Sequence, residues 1–303
     1  SFAQAQIAQL KLRLDHIHEP QFVLNSQSDL RDADLLVLDE VSMVGKQMAE
    51  DLLAFGKSIL VLGDPGQLPP IGEESFFTDA EPDVMLTEIH RQAADSPILR
   101  LATMARQGQP IPYGAFDESV WKMSQRDVAP AQLLNSGQVI CGKNATRRRI
   151  NMAMKKAAGF TADYPTGAGE KTICLRNRHD LGLINGMFLT LSGVRPHPHN
   201  PRAFYAGIET EDGLQIAGEH EFWRGEYDDH ILYDPNRHRH EWEVRRGLIE
   251  TSWGYAITCH KAQGSSFGTV VVFDEGFGGS AENYNRWLYT AITRAEHGLL
   301  ILS

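Results

Sequence analysis

The sequence predicts an α/β protein with two parallel-sheet domains, the first incomplete and the second interrupted by a small β insertion. Buried-strand patterns alternate with helical ones on both sides of a Pro/Gly-rich passage, GQPIPYGAF (108–116). Strands that alternate with helices form parallel sheets, because a crossover must return the chain to the same edge. Between 185 and 247 short β-like pieces replace the helical period. The predicted domains are therefore 1–115, then 116–184 together with 248–303, with the insertion at 185–247.

The first domain contains a strand–helix–strand pattern. DLLVLDE (34–40) and KSILVLGD (57–64) are apolar runs of strand length, as is typical of strands buried on both faces. Between them, GKQMAEDLLAFG (45–56) has the spacing of an amphipathic helix closed by glycine. SPILRLATMARQG (96–108) is a further predicted helix, with Ser96 as its N-cap and proline in its first turn.

The second domain repeats this alternation around the insertion. GQVICG (137–142) reads as a strand, and KNATRRRINMAMKKAAG (143–159) reads as a helix that ends in glycine. After the insertion the pattern predicts a strand, a helix and a last strand: TVVVFDE (269–275), ENYNRWLYTAITRA (282–295) and GLLILS (298–303).

Composition and charge narrow the class of protein. A length of 303 residues suits about two domains. No apolar run is long enough for a membrane span and no leader pattern occurs, so we expect a soluble cytoplasmic protein without a membrane partner. Three cysteines without a CxxC pair indicate buried thiols in a reducing compartment.

The distribution of charge is more informative than the net charge of −10. Residues 1–120 carry 8 Lys/Arg against 19 Asp/Glu, whereas residues 143–180 carry 9 against 3. Two interpretations remain open for the basic segment: a surface that follows a phosphate backbone, or a solvated helix face.

One glycine-rich stretch, GAGEKT (167–172), resembles a phosphate-binding loop. The pattern G-x-x-x-x-G-K-[ST] must lie between a buried strand and a helix, so that backbone amides point at phosphate. Here Glu170 occupies the second glycine position and Pro165 the first. A helix end precedes the stretch and a β-like segment follows it. The sequence therefore predicts a turn that leads into a strand.

Two strand ends carry residues suited to phosphoryl transfer. LLVLDEVSMV (35–44) ends a strand in Asp39 and Glu40, where one carboxylate can hold Mg²⁺ and the other can orient an attacking water. LGDPGQLPPI (62–71) places Gln67 on a loop stiffened by two prolines. An ordinary acidic turn and a surface turn are the alternatives.

Taken together, the motifs resemble the superfamily 1 DNA helicases of the RecD/Dda-like branch, which includes the exonuclease V alpha subunit. DEVSMV and GDPGQLPPI resemble motifs II and III. The other matches are LTEIHRQ (86–92) with motif IV, TCHKAQGSSFGTVVV (258–272) with motif V and YTAITRAEHGLLIL (289–302) with motif VI. The resemblance implies two RecA-like domains, an SH3-like insertion entered near PTGAGEKTICLRN (165–177), and use of ATP with Mg²⁺.

The resemblance also implies roles for individual residues in ATP hydrolysis. Asp39 would hold Mg²⁺, directly or through water, and Glu40 would activate the attacking water. Gln67 would contact the γ-phosphate. Arg91 and Arg294 would act as arginine fingers, since a guanidinium stabilises charge on a transferring phosphoryl group.

Motif V is implied to contact both the nucleotide and single-stranded DNA. Thr258, His260 and Lys261 would line the strand path, and Gln263 and Gly264 would lie near the nucleotide. Trp253, Tyr255 and Tyr289 are candidates for base stacking, with core packing as the alternative. The histidines of HPH (197–199) and HRH (238–240) lack a fixed ligand spacing, so we expect solvated loops there.

The sequence departs from the family at two points. No G-x-x-x-x-G-K-[ST] occurs upstream of Asp39, so motif I is absent and the chain as given is expected to be inactive without it. Ser266 stands where many members carry an acidic residue. The leading hypothesis is an ATP-dependent helicase or translocase on single-stranded or partly duplex DNA, with 5′-to-3′ travel implied by the resemblance. The alternatives are a nucleic-acid-binding module without ATPase activity and a transferase built on GAGEKT.

Overall fold

The computed structural model describes residues 24–72, 75–86, 96–166, 169–234, 245–277 and 279–303. Two compact units are present. We call residues 26–160 with 255–303 the sheet unit, and the unit that contains residues 161–254 the barrel unit. The α/β class predicted from the sequence is confirmed.

Helices and strands follow one another in the order that the sequence patterns suggest. Up to the barrel unit they are β1 (Leu35–Leu38), α1 (Lys46–Leu53), β2 (Ser58–Val61), α2 (Pro97–Arg106), β3 (Gly114–Ala115), β4 (Val120–Met123), α3 (Pro130–Leu133), β5 (Gln138–Cys141) and α4 (Asn144–Ala157). The barrel unit holds β6 (Lys171–Cys174), β7 (Phe188–Pro196), β8 (Ala203–Thr210), β9 (Gln215–Trp223), α5 (Gly225–Ile231) and β10 (Ile249–Trp253). The chain then forms β11 (Ala256–Thr258), α6 (Cys259–Ala262), β12 (Phe267–Phe273), α7 (Ala281–Ile292) and β13 (Ala295–Leu302).

The first two strands pair in parallel, with Leu35 opposite Ser58 and Leu38 opposite Val61. Leu36 is buried, but 52% of Leu35 and 55% of Val37 are exposed. Among the described residues, only one face of this small sheet is thus covered, whereas the continuous apolar run predicts burial on both. Alternate strand residues point to opposite faces, so one uncovered face exposes every second side chain.

A second sheet of six strands forms the main core of the sheet unit. Its order is β11-β5-β12-β13-β4-β3, and all neighbours are parallel except β3 and β4. Val139 and Val271 are fully buried, which explains their continuous apolar runs. The strands β3 and β4 lie partly in and directly after the Pro/Gly-rich passage. These two strands were not predicted, because they are short and contain no long apolar run.

Helix boundaries follow local sequence signals. Ser96 precedes α2 and Pro97 is its first residue, as predicted, although the Ser96 hydroxyl makes no capping hydrogen bond. Ser280 does cap α7, because its hydroxyl accepts a hydrogen bond from Asn283 N at 3.2 Å. Helix α7 packs against α2, and this packing fixes the end of α7 that carries the candidate site residues described below.

The barrel unit is a closed five-strand barrel in the order β10-β6-β7-β8-β9. Aromatic rings fill it: Phe204 stacks on Phe222 at 5.1 Å between centroids, and Tyr227 meets Trp253 edge-on at 4.9 Å. The segment expected to be an insertion, 185–247, supplies β7, β8 and β9. The two strands that close the barrel, β6 and β10, lie just outside that segment, because closure needs a partner for each edge strand.

Residues of GAGEKT enter the barrel as a strand. Lys171 and Thr172 begin β6, while residues 167 and 168 lie outside the described residues. Glu170 is only 1% exposed. Its carboxylate accepts hydrogen bonds from the Trp253 indole N–H at 2.9 Å and from the Thr166 backbone amide at 2.8 Å. Glu170 is therefore a structural carboxylate of the barrel.

Changing Glu170 to Gly restores the glycine of the phosphate-loop pattern but should destabilise the barrel unit. The change leaves the Trp253 and Thr166 donors unpaired, at a cost of about 3 kcal/mol. Urea denaturation followed by tryptophan fluorescence measures this loss. Glu170→Gln is the matched control: its single carbonyl oxygen satisfies one of the two donors, so a smaller loss is expected. Equal stability of Glu170→Gly and the unchanged protein would contradict this role.

Two further expectations concern thiols and membranes. Cys141, Cys174 and Cys259 are buried thiols, as predicted. Burial raises the pKa of the Cys141 thiol to about 12. Among the described residues, no helix has the length and apolar character needed to cross a bilayer.

Candidate active site

Asp39 and Glu40 form a tight turn at the carboxyl end of β1. The Asp39 Oδ1 accepts a hydrogen bond from the Glu40 backbone amide at 2.8 Å. Glu40 has φ 52° and ψ 42°, and it is the only non-glycine residue with positive φ in the described part of the chain. Left-handed backbone costs an L-residue about 1 kcal/mol, and such strain concentrates at functional sites.

The donor set at this turn fits Mg²⁺ only if a ligand supplies further oxygens. No described residue hydrogen-bonds to the second carboxylate oxygen of Asp39. Within the described ranges, no cluster of three or more metal-ligating side chains exists. Mg²⁺ is commonly held by one or two carboxylates together with phosphate oxygens and waters, so Asp39 suits a cation that arrives with a nucleotide.

The loop after β2 lies directly beside the carboxylate turn. The Val41 amide donates to the Leu62 carbonyl at 3.3 Å. Gly63 is needed for this approach, because a Cβ at position 63 would lie 2.6 Å from a Val41 methyl carbon. The two strand ends that the sequence analysis singled out are therefore adjacent.

Gln67 is almost completely buried on this loop. Only 8% of the residue is exposed, and its side-chain Oε1 is buried without a hydrogen-bond partner among the described residues. A buried, unpaired polar atom costs about 1–3 kcal/mol and calls for an explanation. One explanation is a ligand that donates a hydrogen bond to the Gln67 Oε1.

Arg294 is a buried cation held by neutral groups. It is 8% exposed, and its guanidinium donates to the Thr290 carbonyl at 3.2 Å, the Ser265 carbonyl at 3.2 Å and the Thr293 hydroxyl at 3.3 Å. No carboxylate of the described residues pairs with it. Because buried charges are normally paired, this guanidinium is suited to an anionic ligand.

The motif V segment follows β11 and forms α6. Thr258 is the N-cap of α6, and Gly264 has a positive φ of 74°. Burial lowers the pKa of His260, partly opposed by a hydrogen bond with the Pro69 backbone. The Gln263 amide donates to the Leu68 carbonyl at 2.9 Å, and its Oε1 is buried without a partner among the described residues. Lys261 is half-buried on the same short helix.

The structure supplies a carboxylate beside Ser266. The Ser266 hydroxyl donates to a Glu296 carboxylate oxygen. An acidic group is thus present near the position where the sequence lacks one, delivered by β13 instead of by motif V. The motifs alone could not reveal this pair, because Ser266 and Glu296 are 30 positions apart in the chain.

Several predicted features are placed elsewhere or are not described. Arg91 and the HRH sequence at 238–240 lie outside the described residues. The His197 ring stacks on Tyr205 at 4.8 Å, and its Nδ1 accepts from the Asn200 amide, so it belongs to a hydrogen-bonded loop. Trp253 is fully buried and Tyr255 is 7% exposed, in agreement with core packing.

Tyr289 has a polar partner that sequence reasoning missed. Its hydroxyl donates to Asp64 Oδ2 at 2.5 Å, and the other Asp64 oxygen accepts from the Gly66 amide at 2.8 Å. The raised pKa of Tyr289 follows from burial and from this carboxylate. No local signal in the sequence indicates this bond, because Tyr289 and Asp64 are 225 positions apart in the chain.

The basic segment is exposed at several positions of α4. Lys143, Arg149 and Lys156 are exposed, and Arg149 lies over the Phe273 ring at 5.7 Å. The N-terminus of α4 is capped by Glu275, which accepts from the Lys143 amide at 3.0 Å. A carboxylate is favourable at this end of a helix. The exposed cations are thus available to solvent or to a polyanion.

Two family models match the chain. Residues 2–123 match an AAA domain, and residues 254–302 match a UvrD-like helicase C-terminal domain. A curated relative, the ATP-dependent RecD2 DNA helicase of Deinococcus radiodurans, is 25% identical over 299 residues, covering 91% of this chain and 37% of the relative. The chain therefore spans little more than a third of the length of that relative.

Solved structures of Pif1 helicases share the fold. A structure of two coordinating Pif1 helicases at forked double-stranded DNA has a TM-score of 0.57 and 17% identity, covering 94% of this chain and 74% of the other. A Bacteroides Pif1 with ADP-AlF3 and single-stranded DNA has a TM-score of 0.56 and 16% identity, with the same coverage. With the motifs in order and both family models matched, the chain is similar in sequence to a RecD2 DNA helicase and to UvrD-like helicase domains, and similar in fold to Pif1 helicases.

Proposed function

We propose that this chain provides the motor of an ATP-dependent DNA helicase or translocase that moves along single-stranded DNA. The single observation that carries the proposal is the buried pair Gln67 and Arg294. Among the described residues, the Gln67 side-chain oxygen has no hydrogen-bond partner and the Arg294 guanidinium has no carboxylate partner. Arg294 donates to Thr290, and Gln67 precedes Leu68, whose amide donates to Thr290. The relatives are helicases, and 5′-to-3′ travel rests on the family resemblance.

The geometry supports a specific division of labour in hydrolysis. Asp39 would hold Mg²⁺ that arrives with ATP, and that cation would supply charge neutralisation for the phosphate oxygens. Glu40 accepts a proton as water attacks the γ-phosphorus and the bond to the ADP oxygen breaks. Arg294 donates to the phosphoryl oxygens as charge moves onto them, and Gln67 binds the same group.

Single-stranded DNA is proposed to contact the motif V segment. Thr258 and Lys261 offer hydroxyl and ammonium donors to a phosphate backbone, and His260 offers an imidazole whose pKa is lowered by burial. Gln263 and Gly264 lie next to the Gln67 loop, which supports the nucleotide-side role implied for them.

ATP hydrolysis stimulated by single-stranded DNA is the decisive experiment, carried out on the full-length gene product. We expect DNA to raise the rate, and Lys171→Ala to leave both the rate and the affinity for ATP within about twofold. Lys171 lies in a barrel strand with its ammonium 4.3 Å from the Phe188 ring centre, so it is placed for packing.

The alternatives predict different outcomes. An ATPase-inactive nucleic-acid-binding module predicts salt-dependent DNA binding without hydrolysis. A transferase built on GAGEKT predicts that Lys171→Ala abolishes nucleotide binding. Either result would replace the motor hypothesis.

A further inference from the structure

We propose that Tyr289 and Thr290 are positioning residues that hold the Gln67 loop, residues 64–68, in register with Arg294. The inference rests on the proposed function and adds two residues to which no role in hydrolysis is assigned above. Both lie at the end of α7, and each makes one side-chain hydrogen bond to the loop. Tyr289 donates to Asp64 at 2.5 Å, and Thr290 accepts from the Leu68 amide at 3.0 Å.

Thr290 joins the two candidate nucleotide-contacting groups directly. Its hydroxyl contacts the residue after Gln67, while its backbone carbonyl accepts from Arg294 Nε at 3.2 Å. The same hydroxyl donates to the Arg286 carbonyl at 2.7 Å, so both its donor and its acceptor are used. Thr290 is fully buried, and the two hydrogen bonds of its hydroxyl hold its rotamer.

The Leu68 peptide is held at both of its polar groups. Its amide donates to Thr290, and its carbonyl accepts from the Gln263 amide at 2.9 Å. Gln263 ends the helix that carries His260 and Lys261, the proposed strand contacts. A displacement of Gln67 by a nucleotide must consequently move, or be resisted by, both α7 and α6. This contiguous set of hydrogen bonds is a physical route for coupling hydrolysis to DNA contact.

The alternative explanation is that these bonds only stabilise the fold. A stabilising role predicts a lower melting temperature without a selective effect on turnover. A positioning role predicts a loss of DNA-stimulated kcat with an almost unchanged KM for ATP, because misplacement affects the transition state more than ground-state binding.

The chain offers closely matched variants for the test. Tyr289→Phe removes the bond to Asp64. Tyr284→Phe, on the same helix, removes a similar bond to Asp274 of 2.8 Å that does not involve the loop. Thr290→Val removes the hydroxyl at nearly constant volume, whereas Thr290→Ser keeps it.

ATPase kinetics of the full-length gene product with and without single-stranded DNA give the functional measurement. We expect Tyr289→Phe and Thr290→Val to lower the DNA-stimulated kcat about tenfold and to change the KM for ATP by less than about twofold. The controls Tyr284→Phe and Thr290→Ser should have a kcat close to that of the unchanged protein. Hydrogen–deuterium exchange of the peptide that contains Leu68 should accelerate in Thr290→Val only.

The two hypotheses fail in different ways. In the first case, the unchanged protein shows DNA-stimulated ATP hydrolysis, but each test variant has the same kcat as its control: Tyr289→Phe as Tyr284→Phe, and Thr290→Val as Thr290→Ser. The positioning role is then overturned and the motor function stands. If the unchanged protein shows no DNA-stimulated hydrolysis, the proposed function fails and the positioning role fails with it.

Discussion

Replacing Arg294 with Ala should lower the kcat of DNA-stimulated ATP hydrolysis by about 10³-fold or more. An arginine that neutralises a transferring phosphoryl group is worth about 10³–10⁵ in rate. Arg294 is suited to this role because it is 8% exposed and its described partners are carbonyl and hydroxyl oxygens. Within the described ranges, no ion pair has to break before its guanidinium contacts phosphate.

Steady-state kinetics with saturating single-stranded DNA measure this loss, and Arg286→Ala is the control. Arg286 lies on α7, the helix that precedes Arg294, and forms a surface pair with Glu282 at 2.9 Å, a contact worth little energy in water. We expect that control to retain kcat within about twofold. Binding of a fluorescent ATP analogue shows whether Arg294→Ala still folds around nucleotide. A kcat within tenfold of the unchanged protein would exclude Arg294 as the arginine finger.

Replacing Glu40 with Gln should lower kcat by about 10²–10⁴-fold while nucleotide binding persists. The amide has the size of the carboxylate but cannot accept the proton of the attacking water, and general-base catalysis contributes this range. The change keeps the left-handed turn, because a glutamine meets the same backbone restriction as a glutamate. A loss of rate can then be assigned to chemistry and not to refolding of the turn.

Single-turnover hydrolysis with DNA separates this chemical step from product release. Glu50→Gln, on the nearby helix α1, is the matched control, since Glu50 only approaches Lys46 at 3.8 Å on the surface. We expect the control to hydrolyse ATP at the unchanged rate. Equal rates for Glu40→Gln and the unchanged protein would remove Glu40 from the mechanism.

Local patterns predicted most strands and helices, because a strand or helix with a buried face has apolar residues at a regular spacing in the sequence. The runs 34–40 and 57–64 became β1 and β2, and the carboxylates Asp39 and Glu40 stand at the expected strand end. Glycines and serines marked helix ends for steric and capping reasons. The strands β3 and β4 were missed because short strands at the margin of a sheet carry too few apolar residues to show a period.

Side-chain partners could not be predicted in the same way. Tyr289 was a candidate for base stacking, yet it donates to Asp64, which is 225 positions away in the chain. Glu170 was recognised only as a residue that spoils a phosphate loop, and the barrel shows what it does. Asp64 and Trp253 lie far along the chain from Tyr289 and Glu170, so no local window contains either of these pairs.

The sequence by itself determined the order of the motifs, the α/β class and the exclusion of GAGEKT as a phosphate loop. Each of these follows from residue type and spacing, which act over a few neighbouring positions. Only the tertiary structure decided the contacts of the site. In the part of the chain that the structure describes, the buried Gln67 oxygen has no hydrogen-bond partner, Arg294 has no carboxylate partner, and Thr290 lies between the two residues. Those facts depend on how β2, α6 and α7 pack, because hydrogen bonds form between atoms brought within about 3 Å by folding.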